Sequence, residues 1–172
     1  MYYFDKGETR NYLLMTLCVY TALRISDILL LYCEDVYDFE KRKVKKSMTI
    51  VEKKTKKSKT IALNKSIVAA LAVFLPNLKP GMPLIRNNRT NKAISRTQAY
   101  RITRTAGEDL NLPQRISCHS LRKTFGYHTW NDGVSPVVIM DIYNHSSLAV
   151  TKRYLGITQD DRNAVYMSLD FL

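Results

Sequence analysis

The feature that most limits how this chain can fold is a change of periodicity between Asp35 and Leu63. Before it, Leu13, Leu14, Leu17, Tyr20 and Leu23 recur at helical spacing, which predicts an amphipathic helix over residues 8–23. Arg24-Ile25-Ser26-Asp27 follows, and Ile28-Leu29-Leu30-Leu31 is expected to continue as a short, deeply buried helix. Then β-branched runs appear, Met48-Thr49-Ile50-Val51 and Thr60-Ile61-Ala62-Leu63, with a basic stretch between them. They predict one small three-stranded antiparallel sheet, with strands near Val36–Phe39, Ser47–Glu52 and Lys59–Leu63. The last two strands are joined by the turn Lys53-Lys54-Thr55-Lys56-Lys57-Ser58.

After the island the helical pattern returns. Asn64 can cap a helix whose face is Ile67, Val68, Leu71, Phe74 and Leu75, and Pro76 stops it. Pro80-Gly81 and Pro83 make residues 76–94 loop-like, and Ser95 opens a polar helix to about Leu110. Further helices are expected at about 119–132, 136–142, 148–154 and 158–169, the second opened by the Ser135-Pro136 pair. The fold class read from this pattern is α+β, mostly α-helical around one small antiparallel sheet.

With 172 residues the chain suffices for one domain with a sizeable core. Its apolar runs are too short to span a membrane, and Met1-Tyr2-Tyr3-Phe4-Asp5 has no signal-peptide pattern. Cys18, Cys33 and Cys118 are odd in number and scattered, which argues against a disulfide framework or a zinc site. A formal charge of +12 and a pI near 9.7 point to a polyanionic partner.

The chemistry is concentrated near the C-terminus: His119-Ser120-Leu121-Arg122, then His145, then Tyr154 nine positions later. A hydroxyl nucleophile grouped with an arginine and two histidines can attack a phosphodiester without a metal. Tyrosine needs its proton taken, and the charge that develops on phosphorus needs fixed cationic donors, which arginine offers as a planar fork. Each residue type alone is common, and the combination at this spacing is not. His128 reads as a structural histidine on an apolar face with Leu121 and Phe125, and Tyr143 and Tyr166 read as packing residues.

These residues resemble the catalytic domain of a tyrosine recombinase, the phage-integrase family. Thr21-Ala22-Leu23-Arg24-Ile25-Ser26-Asp27 is similar to the family's first arginine box, and Lys54-Thr55-Lys56-Lys57 to its lysine turn. His119-Ser120-Leu121-Arg122-Lys123-Thr124-Phe125 resembles the second box, and Asn144-His145-Ser146-Ser147 through Tyr154-Leu155-Gly156 the third. Ala22 stands where the family usually has glycine, and Tyr143-Asn144 replaces the common Leu-Gly before His145. Neither change removes a chemical group.

The resemblance implies site-specific DNA cleavage and rejoining through a 3′-phosphotyrosine, without metal or cofactor. Arg24 and Arg122 would grip one phosphate, Tyr154 attack it, and Lys54 protonate the departing 5′-oxygen. His119 and His145 would bond the phosphate and manage the tyrosine proton, with Asp27 an orienting group behind Arg24. Arg24 could instead be tied to Asp27 three residues on, and Lys53, Lys56, Lys57 and Lys59 compete with Lys54 for its role. Those four lysines, with Arg96, Arg101, Arg104 and Lys123, are the expected contacts to double-stranded DNA, although a solvated hairpin and an ordinary polar helix have the same composition. A DNA-binding regulator of the same fold should have lost at least one of the six groups, and none is missing.

The resemblance further implies that residues 1–172 form the catalytic domain of a longer integrase, whose core-binding and arm-binding domains would precede it. It implies protomers assembled as a tetramer on paired sites in a bacterial cytoplasm, at the nucleoid. After Gly156 the tail carries Val165, Met167, Leu169, Phe171 and Leu172, too apolar for a free end. It would dock on a neighbouring protomer or fold back on its own core.

Overall fold

A computed structural model describes residues 2–168 and divides the chain into two compact units, Met1–Arg122 and Lys123–Leu172. The first unit is built on α1 (Tyr2–Asp5) and α2 (Thr9–Tyr20), followed by the single turns α3 (Ile25–Ile28) and α4 (Cys33–Val36). Strands β1 (Tyr37–Asp38), β2 (Lys43–Val44), β3 (Ser47–Val51) and β4 (Ser58–Ala62) come next, then α5 (Lys65–Phe74) and α6 (Arg96–Asp109). Helix α7 (Cys118–Asn131) begins in the first unit and ends in the second, which continues with α8 (Pro136–Tyr143), α9 (Leu148–Leu155) and α10 (Gln159–Ser168).

The core of the first unit lies where α2 packs on α5: Leu13, Leu14 and Leu17 meet Ile67, Ala70, Leu71 and Phe74, all buried. Each such leucine contributes about 1.5–3 kcal/mol relative to exposure. The Asn64 cap is present, its side chain accepting the Ile67 N–H at 2.9 Å. Two faces are narrower than the periodicity suggests, because Tyr20, Val68 and Leu75 are exposed. The leucine run does not continue as a helix: α3 ends at Ile28, Leu31 is buried and Leu30 is exposed.

The one three-stranded sheet is corrected to two antiparallel hairpins, β1–β2 and β3–β4. Strands form at all three expected positions, but the first is cut to Tyr37–Asp38, with Val36 in α4, and it pairs with Lys43–Val44, a segment missed in the sequence. Arg42 adopts a left-handed φ of 49°, which folds the chain straight back. Closing so short a loop costs little entropy, so the nearest partner wins.

In β3, Met48 and Ile50 point inward and Thr49 and Val51 outward. Glu52 continues the alternation inward and is fully buried.

Within the second unit Ile139, Tyr143, Thr151 and Leu155 are buried. Helix α8 starts at the expected Ser135 cap, whose Oγ accepts the Val137 N–H at 3.3 Å, and ends at Asn144 with a left-handed φ of 54°. Helix α10 buries none of its residues. Tyr166, read as packing from the sequence, is 77% exposed there, and Met167 is 87% exposed. Leu169, Phe171 and Leu172 lie outside the described residues. Among the described residues no helix is long and apolar enough to cross a membrane.

Candidate active site

In the first unit, a cavity of about 340 Å³ is lined by Arg24, Lys54, His119 and Arg122, together with Leu23, Ile25, Ser26, Arg96 and Cys118. Four residues far apart in the sequence therefore share one hollow. Arg24 stands at the N-cap of α3, its backbone extended (φ −72°, ψ 146°), immediately after a tight reversal at Ala22. Ala22 has φ 54°, the left-handed conformation for which glycine is suited, and this explains the family's usual residue at that position. The reversal directs the Ala22 carbonyl to accept from the Arg122 guanidinium, which holds that buried arginine in register.

Arg24 does not pair with Asp27. Its Nη1 donates to Glu52 Oε2 at 3.1 Å, and the same oxygen accepts the Thr55 hydroxyl at 2.8 Å. Glu52 is the residue that sequence reasoning missed. Asp27, buried, accepts the Lys53 N–H on Oδ1 at 3.0 Å and so ties α3 to the start of the lysine turn. Asp27 is thus bonded to the turn that carries Lys54 and not to the Arg24 guanidinium. His119 sits at the first turn of α7, which Ser117 and Ser120 fasten by reciprocal bonds at 3.2 Å.

Lys53, Lys54, Lys56 and Lys57 are exposed around the turn, whereas Lys59 is half-buried. Arg96 and Arg101 are exposed on α6, and Arg96 reaches the cavity. Arg104 is engaged by Glu108 at 2.5 Å. Cys118 hydrogen-bonds Thr103 Oγ1 at 3.3 Å and contacts Cys18; that thiol contact holds the Cys118 pKa down at about 6, against the effect of burial. The three cysteines are free.

The second unit carries the other two of the six expected groups, His145 and Tyr154. His145 Nδ1 is 3.0 Å from Thr151 Oγ1, which orients the ring. The His145 ring stacks on Tyr143 at 4.9 Å and 16°, and the Tyr154 ring lies 4.6 Å from His145 and 5.0 Å from Tyr143. Lys123 Nζ stands 5.9 Å from the Tyr154 ring centroid, within cation–π range. Tyr143 is fully buried and serves as packing, as the sequence suggested. It passes so close to α7 that a Cβ built on Gly126 would meet its hydroxyl at 2.6 Å. His128 is exposed beside Tyr127 rather than on an apolar face.

Residues 1–160 match the family model described as the phage integrase family. The chain belongs to that family. Its relatives are tyrosine-type site-specific recombinases and integrases, the enzyme class that the motifs imply. The probable integrase/recombinase YoeC of Bacillus subtilis is 38% identical over 96% of this chain and 87% of that protein. Tyrosine recombinase XerA of Pyrococcus furiosus is 26% identical over 89% of this chain and 52% of its own length. The chain thus spans most of YoeC and about half of XerA.

Among solved structures, XerA recombinase matches with a TM-score of 0.76 at 22% identity over 94% of this chain and 57% of that one. XerH bound to palindromic difH substrate in a post-cleavage complex gives 0.78 at 19%, over 95% of this chain and 46% of that one. At such identities the likeness is one of fold, and the mostly helical class with small antiparallel sheets agrees with it.

Proposed function

We propose that residues 1–172 act as the catalytic domain of a site-specific recombinase, cleaving and rejoining duplex DNA through a 3′-phosphotyrosine. The convergence of Arg24, Lys54, His119 and Arg122 on one cavity carries this reading. Two guanidiniums and an imidazole suit the non-bridging oxygens of a phosphodiester, whose charge rises as the nucleophile approaches. Tyr154 Oη attacks phosphorus, the P–O5′ bond breaks, and the leaving oxygen takes a proton from Lys54. The phenolic proton passes to a histidine of the site, for which His145, oriented by Thr151, is suited. Because the phosphotyrosine conserves the bond energy, a free 5′-hydroxyl can reverse the step on the same or another duplex.

Exposed Lys53, Lys56, Lys57, Arg96, Arg101 and Lys123 supply phosphate contacts along the duplex, in keeping with the charge of +12. Recombination of two sites needs several protomers, and four on paired sites is the arrangement that we favour. The bare apolar side chains of α10, Val165 and Met167 among them, support docking of the tail on a neighbouring protomer. A bacterial cytoplasm, at the nucleoid, is the setting that this substrate implies.

The test is incubation with nicked suicide DNA half-sites. Wild type is expected to form a covalent adduct, and Tyr154→Phe to bind the same DNA and form none. Binding by the wild type with no adduct would reduce the chain to a DNA-binding module.

A further inference from the structure

The least expected charge near the cavity is Lys59. In the β3–β4 ladder it lies opposite Ile50, and Ile61 lies opposite Met48. Directly opposed residues share a face of the sheet, so Lys59 hangs on the buried side of the hairpin with Met48, Ile50 and Glu52. Glu52 is two positions beyond Ile50, a diagonal neighbour within reach of a long side chain.

The charges around the Lys59 ammonium come from every element of the grip. They are Glu52 at the end of β3, Asp27 on α3, Arg24 before α3 and Arg122 on α7. Two buried carboxylates thus face three cations, which leaves one net positive charge for an incoming phosphate. Without Lys59 these groups sum to zero, and only Lys54 and Arg96 on the cavity lining remain to favour the phosphate.

We propose that Lys59 is a positioning residue of the phosphate grip: its ammonium supplies Glu52 with a second cation, so that Arg24 can turn its guanidinium toward the phosphate. This inference rests on the reading of the cavity as a DNA phosphate site. Lys54 and Lys59 then divide the work, one exposed on the cavity lining and one on the buried face of the hairpin with Glu52. Burial lowers the Lys59 pKa to about 8, assisted by Arg122 and Arg24 and opposed by Glu52 and Asp27. Below that pH the ammonium is charged and the grip is complete. Above it Lys59 is neutral, Glu52 draws Arg24 more strongly, and the grip weakens.

The experiment is single-turnover cleavage of the nicked half-site by the whole chain, compared for wild type, Lys59→Met and Lys59→Arg between about pH 6.5 and 9.5. The ratio of two rates cancels titrations that the proteins share. At neutral pH, Lys59→Met should be at least about tenfold slower than wild type. The wild-type advantage should shrink toward unity above about pH 8. Lys59→Arg, charged throughout, should match wild type at neutral pH and surpass it above about pH 8. Equal rates for Lys59→Met and wild type, or ratios flat across the range, would overturn the inference. Should Lys59→Met fail to fold, the Lys59→Arg ratio decides alone by the same criterion. A wild type that forms no adduct at any pH would instead overturn the proposed function and this inference with it.

Discussion

Replacing Glu52 by glutamine probes the anchor of the site with little change of volume. Glu52 is fully buried, and Oε2 receives both Arg24 Nη1 at 3.1 Å and Thr55 Oγ1 at 2.8 Å. Glutamine keeps an acceptor at that point and opens no cavity, so the loss is the charge. A hydrogen bond to a charged group is worth about 1.5–3 kcal/mol, and breaking a wholly buried pair costs about 3–5. The Arg24 side chain is 24% exposed and can rehydrate, so the lower end applies, about 2 kcal/mol. For a chain of 172 residues that corresponds to a fall in Tm of about 4–8 °C. Cleavage should fall further, by about a hundredfold, because Arg24 loses its orientation. Urea unfolding of Glu52→Gln, Arg24→Ala and the double variant measures the pair directly, with a coupling of about 1–2 kcal/mol expected. Additive losses, or a Glu52→Gln protein as stable and active as wild type, would refute the view that Glu52 holds Arg24.

The alanine variant of Gly126 should push Tyr143 off His145, since the new methyl meets the Tyr143 hydroxyl. A cost of about 1–3 kcal/mol and slower cleavage at unchanged DNA affinity are expected from melting and half-site assays. Asn144→Ala should destabilise by about 1 kcal/mol, because alanine is disfavoured at the left-handed φ of 54°, whereas Asn144→Gly should be tolerated; thermal unfolding compares them. A 5′-bridging phosphorothiolate substrate, whose leaving group needs no proton, should restore cleavage to Lys54→Ala and not to Arg122→Ala. Rescue of Lys53→Ala or Lys56→Ala instead would move the general acid along the turn.

The chemical groups were legible because their order and spacing are written in local sequence. Arg24, His119, Arg122, His145 and Tyr154 each sit in a recognisable box. The two departures from the family pattern, Ala22 and Asn144, fall at left-handed backbone positions, where glycine is the usual solution and other residues bear a modest strain. Glu52 was passed over because an acid beside a lysine-rich turn reads as solvated. The signal was nevertheless present, since residue 52 continues the inward alternation of Met48 and Ile50. Lys59 required the register of the β3–β4 hairpin, which turn length and composition left open. The β1–β2 hairpin was lost because Lys43-Val44 is too short and too charged to stand out as a strand. The exposure of Tyr166 followed no local rule, since its apolar neighbours suggested burial.

In the proposed reaction Tyr154 alone carries the covalent chemistry. Wild-type protein trapped on a suicide half-site, digested and sequenced by mass spectrometry, should yield one peptide linked to a DNA 3′-phosphate, with the link on Tyr154. A link on Tyr143, Tyr166 or any other tyrosine, or an adduct that persists in Tyr154→Phe, would contradict it.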